Sequence, residues 1–469
     1  MTPRSGDTRP VTPVRTPVLT HPASTPAAVP APPARRAAAI VAVVIAAAGL
    51  LVTLGFTIAD EPPAALHAHG GTAIFLGNVT GMVGTYLALI QVLLASRIPP
   101  VEHVLGLDGL IRWHRRVGPW PISLLTVHAV ALTVGYAQAA RAGLMHEVGT
   151  LVDSYPGLLA AFVALGLMLL AGFASVRAIR RRLRRETWWA IHLYLYLAIA
   201  LSFTHVLVLG PEFVGHPVVK AVWWVVWLAT AGSVLVFRFG LPAARSLRHR
   251  LVVWEVRRET PDTVSIICRG RNLDRLHVRG GQFALWRFMV RDLWWQAHPY
   301  TVSGLPQRSF LRLTVKNVGD HSKALASLRR GTRVAFEGPY GVFTAEARRR
   351  ARVALIAAGA GVTSLRPVLE KLPAGTDPVV VLRASRADGM ALRDEVAALV
   401  DEQNGTLHEL YGSRRAQLLD GRRLRQLIPD IRARDVYVSG PEDFVKAVTN
   451  AVRRLGVPTD AVHHEAYAL

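Results

Sequence analysis

Six stretches of this sequence are apolar over enough residues to cross a lipid bilayer, and no other feature constrains the fold as strongly. They lie near 37–59, 72–95, 118–138, 157–177, 187–209 and 218–239. A hydrocarbon core of about 30 Å takes roughly 20 helical residues, and a helix satisfies its own backbone groups there. The first half of the chain is therefore predicted to be an all-α bundle of six transmembrane helices, residues 37–240. Residues 1–36 are rich in Pro, Thr and Ala without apolar periodicity, which predicts a disordered tail. The run from Ala37 to Ala59 starts too late and is too long for a signal peptide, so it is expected to be retained.

A net charge of +23 could indicate a nucleic-acid binder, so the positions of the basic residues decide the matter. Arg35 and Arg36 precede the first span, and Arg97, Arg112, Arg115 and Arg116 follow the second. Arg177 to Arg185 fill the fourth connection, and Arg245, Arg248 and Arg250 follow the sixth span. The other connections are poor in arginine and short, with no domain to cap a pocket. The positive-inside rule then predicts a multi-pass cell-membrane protein with both termini and the second half cytoplasmic. The same charge attracts anionic lipid headgroups, and nucleic acid is not expected as a partner.

Two spans carry histidines in matched pairs. His114 and His128 are 14 residues apart, and His192 and His205 are 13 apart. Either separation is about 20 Å along a helix. An imidazole in lipid needs a partner. Four in two pairs read as axial ligands of two stacked haems, each bridging the third and fifth spans. Sidedness pairs His114 with His192 and His128 with His205. Two imidazoles per iron leave no open position, which favours electron transfer. At about 100° per residue, a spacing of 14 returns to within roughly 40° of one face, whereas 13 misses by roughly 140°. The fifth span is therefore expected to kink, to carry a π-bulge, or to let its side chains reach around.

The single cysteine, Cys268, excludes disulfides and cysteine-ligated clusters within the chain. It sits in the strand-like run TVSIIC and reads as a small buried hydrophobe.

From about 250 the pattern becomes short alternating β runs, as in a small antiparallel barrel spanning 250–343. From 351 to 469 strands alternate with helices, predicting a parallel α/β sheet. At its first strand-to-helix turn, Gly359 and Gly361 let backbone approach a phosphate. Thr363 and Ser364 open a helix whose amides attract an anion. Further on, Arg383 and Arg386 stand where an NAD site usually has an acid, which suits the 2′-phosphate of NADPH.

These features together resemble the ferric reductase and NADPH oxidase superfamily over about residues 70 to 469. The histidine spacing is similar to that family's haem signature. His298-Pro299-Tyr300-Thr301-Val302-Ser303 resembles its flavin motif, and Gly319-Asp320-His321-Ser322 its element at the FAD pyrophosphate. Gly338-Pro339-Tyr340-Gly341 is similar to the link between flavin barrel and nucleotide domain. Gly359 to Ser364 resembles the NADPH pyrophosphate loop, and Ser439-Gly440-Pro441 stands in place of a Cys-Gly-Pro motif near the nicotinamide. His464-Glu465-Ala466-Tyr467 resembles the C-terminal segment whose aromatic ring covers the flavin, although two residues follow Tyr467.

The resemblance implies a ferredoxin-reductase-like soluble half, with an FAD-binding barrel and an NADPH-binding α/β domain. It implies electron flow from cytoplasmic NADPH through FAD and two b-type haems to an acceptor outside, most simply ferric iron or its chelate. Dioxygen reduced to superoxide and an extracytoplasmic redox protein are the alternative acceptors. A haem-binding sensor is a reading from another class, which the nucleotide and flavin motifs disfavour.

Overall fold

The computed structural model of the protein describes residues 32–59, 63–210, 213, 216–413 and 416–467. Six helices in it are long and apolar enough to cross a membrane: Ala37–Ala59, Gly71–Ala95, Gly109–Ala140, Leu158–Ser175, Glu186–Leu209 and Pro217–His249. The expectation of a disordered tail falls mostly on residues 1–31, outside those described. The helix bearing the first span begins at Pro32, ahead of its apolar run. Proline suits that position because its missing N–H is one a helix start leaves unpaired.

The second span is the centre of the bundle, with half of its apolar window buried against 6% for the first. Its small residues explain why. A Cβ on Gly77 would lie 2.5 Å from Leu132, and one on Gly70, at the mouth of the span, 2.0 Å from the Gly135 carbonyl. Helices in lipid gain from packing rather than from the hydrophobic effect, so small residues that admit a neighbour decide who sits at the centre. The first span is held peripherally, where the Tyr86 hydroxyl donates to the Ala46 carbonyl at 2.9 Å.

Two spans depart from regular α-helix. The third is jointed at Gly118–Pro119, between helices Leu107–Val117 and Pro119–Ala140. The sixth passes through a π-helical stretch, Val234–Gly240, and continues as helix Leu241–His249, beyond the predicted end near 239. That continuation lies on the soluble half. Ser246 Oγ donates to the Phe336 carbonyl at 3.3 Å and accepts from the Phe336 N–H at 3.2 Å.

The soluble half has the two predicted units. Strands β1 (Val252–Thr260), β2 (Thr263–Arg269), β3 (Phe283–Phe288), β4 (His298–Gln307), β5 (Phe310–Lys316) and β6 (Val334–Tyr340) form one antiparallel sheet, order β1-β2-β5-β4-β3-β6. Their inward residues, including Ile266, Trp286, Phe288, Leu313 and Phe336, make the barrel core. Cys268 is among them, as expected, and its thiol is pushed up to about 12 by burial.

Strands β7 (Val353–Ala358), β8 (Val379–Ala384), β9 (Thr406–Tyr411), β10 (Asp435–Pro441) and β11 (Val462–Tyr467) form a parallel sheet, order β11-β10-β7-β8-β9. β7, β8 and β10 read as continuous apolar runs in sequence because both faces are buried. The edge strands β9 and β11 carry several polar residues each and make no continuous apolar run, so they escape the sequence reading.

Candidate functional site

The four histidines meet as two pairs. The rings of His114 and His192 lie 6.0 Å apart centre to centre, and those of His128 and His205 lie 6.1 Å apart. The predicted pairing therefore holds. The fifth span carries no π-bulge: Arg185–Leu209 is an uninterrupted α-helix. The third expected route is the one taken. Two residues about 140° apart each sit some 70° to either side of the line to the neighbouring helix, and long side chains reach inwards from both sides. In the third span His114 and His128 lie on either side of the Gly118–Pro119 break, where Gly118 keeps helical dihedrals and its N–H still donates to the His114 carbonyl.

Within each pair the two imidazoles differ. His114 Nδ1 donates to the Gln91 carbonyl at 3.3 Å, and His128 Nδ1 donates to the Gly77 carbonyl at 2.8 Å. A carbonyl only accepts, so the hydrogen is on Nδ1 and the lone pair on Nε2. The Nδ1 atoms of His192 and His205 are buried with no hydrogen-bond partner. Trp188 stacks on His192 at 5.0 Å, beneath the guanidinium of Arg180.

A cavity of about 190 Å³, partly open to its surroundings, adjoins the His128–His205 pair; Leu132, Phe162, Met168, Ser202 and Trp227 line it. Leu151 and Tyr155 close one side of it. Leu151 belongs to a helix, Leu144–Ser154, in the third connection, so that connection does supply a cap where sequence length suggested none. Its apolar stripe is too short to stand out beside the flanking spans.

The flavin and nucleotide motifs converge at the seam between the two sheets. His298 begins β4 and stacks on His321 at 3.6 Å, and the Tyr300 hydroxyl bonds His321 Nδ1 at 3.0 Å. Pro299 and Tyr300 pair with Leu285 and Ala284 of β3. Val302 is buried, and Ser303 is fully buried with its hydroxyl against Thr314. Ser322 accepts from the Gly319 N–H at 3.0 Å and donates to the Gly319 carbonyl at 2.8 Å, so its hydroxyl shapes that loop.

Thr301 Oγ1 meets the Tyr467 hydroxyl at 3.0 Å, which lies 3.2 Å from Glu465. Burial and Glu465 hold that phenol above the usual tyrosine range. Parallel pairing of β10 with β11 sets Ser439 beside Glu465, Gly440 beside Ala466 and Pro441 beside Tyr467. Ser439 Oγ bonds Ser364 Oγ at 2.8 Å, both fully buried. Gly361 must be glycine: a Cβ there would lie 2.2 Å from the Ser439 carbonyl. Gly359 has φ +55°, in the left-handed region. Thr363 donates to the Ala360 carbonyl at 2.8 Å and closes the turn.

Arg383 and Arg386 part company. Arg383 is buried at the end of β8 and donates to the Gly412 carbonyl at 3.3 Å, whereas Arg386 is exposed and paired with Asp388 at 3.0 Å.

Two family models match. One, described as the ferric reductase like transmembrane component, covers residues 80–203, and the other, an FAD-binding domain, covers 252–344. In this order the two matches are similar to the architecture of the ferric reductase and NADPH oxidase superfamily. Its soluble half is similar to NADH oxidoreductase HCR of Escherichia coli, 31% identical over 44% of this chain and 65% of that protein. It is also similar to an NADPH oxidoreductase of Mycobacterium tuberculosis, 26% identical over 48% of this chain and 61% of that protein. The chain thus spans less than two thirds of the length of these relatives. Among solved structures, the FAD/NAD-binding domain of nitric oxide dioxygenase from Vibrio cholerae aligns at 22% identity with a TM-score of 0.40, covering 47% of this chain and 99% of that one. This ferric-reductase-like chain is a multi-pass membrane protein whose soluble half carries an FAD-binding domain similar to those of flavin oxidoreductases.

Sequence reasoning missed what holds its two halves together. Glu337 is buried and paired with Arg97 and Arg238, of which Arg97 had read as a topology determinant. No periodicity signals a pairing between residues so far apart in the chain.

Proposed function

We propose that the protein carries electrons across a cell membrane from cytoplasmic NADPH, through FAD and two b-type haems, to ferric iron presented as a chelate outside. When bound, the flavin divides a two-electron hydride into single electrons and the two irons relay them. One NADPH yields NADP⁺, one proton and two reduced acceptors.

The observation that carries this reading is the pair of 6 Å imidazole contacts. A metal about 2 Å from each of two facing imidazole nitrogens sets the ring centres about 6 Å apart. The residues present therefore fit the group. Gln91 and Gly77 fix the hydrogens of His114 and His128 on Nδ1, which leaves Nε2 for the metal. In the soluble half, Thr301 and Glu465 hold the Tyr467 hydroxyl and Ser364 bonds Ser439, and these residues would hold the flavin and nicotinamide with Tyr467 as their cover. Gly359, Gly361 and Thr363 shape the turn that would receive the pyrophosphate, and Arg383 and Arg386 are the residues that would meet the 2′-phosphate.

The arginine-rich connections stand on the side of the soluble half, which supports a cytoplasmic orientation for it and for both termini, with anionic lipid at that surface. The cavity beside His128 and His205, apolar along Leu132, Leu158, Phe162 and Leu165, favours dioxygen as a second acceptor. An extracytoplasmic redox protein would instead dock over Leu144–Ser154.

Purified protein reconstituted with FAD and haem decides between these acceptors. NADPH-driven reduction of a ferric chelate without air supports the first, and dismutase-sensitive reduction of cytochrome c in air supports the second. His114→Leu and His205→Leu should each remove haem absorbance while NADPH still reduces the flavin. Wild-type haem spectra in both would sink the ligand assignment.

A further inference from the structure

The geometry points to Glu337, Arg97 and Arg238 as positioning residues that fix the flavin barrel against the His114–His192 pair. This rests on the proposed passage of electrons from flavin to that pair. Glu337 is 2% exposed near the end of β6, the strand that leads from the barrel into the nucleotide domain. Its Oε1 accepts from Arg97 Nη1 at 2.5 Å, from Arg238 Nη1 at 2.9 Å and from the Tyr340 hydroxyl at 3.0 Å. Arg97 follows the second span, and Arg238 lies in the π-helical stretch of the sixth. One carboxylate of the soluble half thus joins two separate elements of the membrane half.

The same segment is gripped twice more. Arg245 donates to the Gly338 carbonyl at 2.5 Å, and buried Glu102, just after the second span, accepts the Gly341 N–H at 3.3 Å.

Two features separate this from the ordinary role of cytoplasmic arginines, which set topology while their charges stay in water. The side chains of Arg97 and Arg238 are only 14% and 24% exposed. Arg97 also occupies the left-handed region at φ +60°, where glycine or asparagine would be unstrained. A carboxylate buried between two elements costs stability if either cation is lost, so the contact resists sliding or tilting of the barrel. Electron passage depends steeply on placement. The clamp therefore acts on that step rather than on NADPH oxidation.

The test uses the full chain, loaded with FAD and haem in nanodiscs, with Arg97→Gln, Arg238→Gln and Arg97→Lys. NADPH-driven reduction of ferricyanide, which takes electrons directly from the flavin, should stay within about twofold of wild type, while haem reduction followed by stopped-flow absorbance should slow by roughly tenfold or more. Arg97→Lys should recover part of that rate. Amide exchange over 334–341 should rise in both glutamine variants, with β7 and β10 unchanged. Unaltered haem reduction in both glutamine variants would overturn the proposal, as would an equal loss of ferricyanide and haem reduction. A wild-type protein that never passes electrons to haem would defeat the parent reading instead, and unchanged exchange over 334–341 would then still defeat the clamp.

Discussion

His128 and Gly77 are joined across the second and third spans by a 2.8 Å hydrogen bond, and Gly81 is what admits the imidazole. A Cβ on Gly81 would lie 2.4 Å from His128 Nδ1. The glycines of the second span thus do two jobs: they set the helix spacing and they expose the carbonyl that orients the His128 ring.

Gly81→Ala should therefore displace His128 and leave His114 in place. The expected outcome is loss of roughly half the haem absorbance per protein, with flavin content unchanged, read by difference spectroscopy. Full retention of both haems would show that the ring has room the structure does not show.

At the nucleotide site, Gly361→Ala forces its Cβ against the Ser439 carbonyl, a backbone atom in the middle of a parallel sheet. We expect flavin reduction by NADPH, followed as bleaching in stopped flow, to slow by about tenfold or more while FAD remains bound.

On the proposed reading, NADPH would be favoured through Arg386, which Asp388 now pairs. Arg386→Ala should raise KM for NADPH by about tenfold with kcat little changed and leave NADH use untouched. Asp388→Asn frees the guanidinium from its present partner and should lower KM for NADPH. Equal effects on both nucleotides would remove Arg386 from the 2′-phosphate site.

The two soluble domains are held together by Glu395, which takes Arg312 of β5 at 2.5 Å and Arg366 at 2.8 Å. Burial raises the pKa of this carboxyl, but the hydrogen bonds and charges of Arg312 and Arg366 outweigh it, so the net shift is downward. The folded pKa then lies below the unfolded one, near about 4.3. Its contribution is complete above that value and disappears as pH falls through the folded pKa. Glu395→Gln should lower the melting temperature of the soluble half by about 2–4 °C at pH 7, partial exposure limiting the effect, and make no difference at strongly acid pH.

Cys268 should resist alkylation in the folded protein at pH 8 and react only on unfolding. Its thiol is fully buried and its pKa is pushed up to about 12. Rapid labelling under native conditions would contradict the packing of the barrel core.

What the residues alone determine here is what repeats or clusters along the chain. Six apolar runs specify six helices because lipid demands them, and continuous apolar strands specify a buried parallel sheet. The sidedness of arginine and histidine is enough to pair His114 with His192 and His128 with His205. Glycines at turns mark Gly359 and Gly361 for the same reason, since their role is local.

Tertiary structure decided everything that depends on two distant segments meeting. The fifth helix is unbroken, and its side chains absorb the rotation that a spacing of 13 leaves between His192 and His205. The Gly77 and Gln91 carbonyls orient imidazoles from another helix, and Thr301 finds Tyr467 across a domain seam. Glu337 turns Arg97 from a surface charge into a buried partner. Such contacts are energies between groups that only folding brings within range, and no local pattern along the chain encodes their distance.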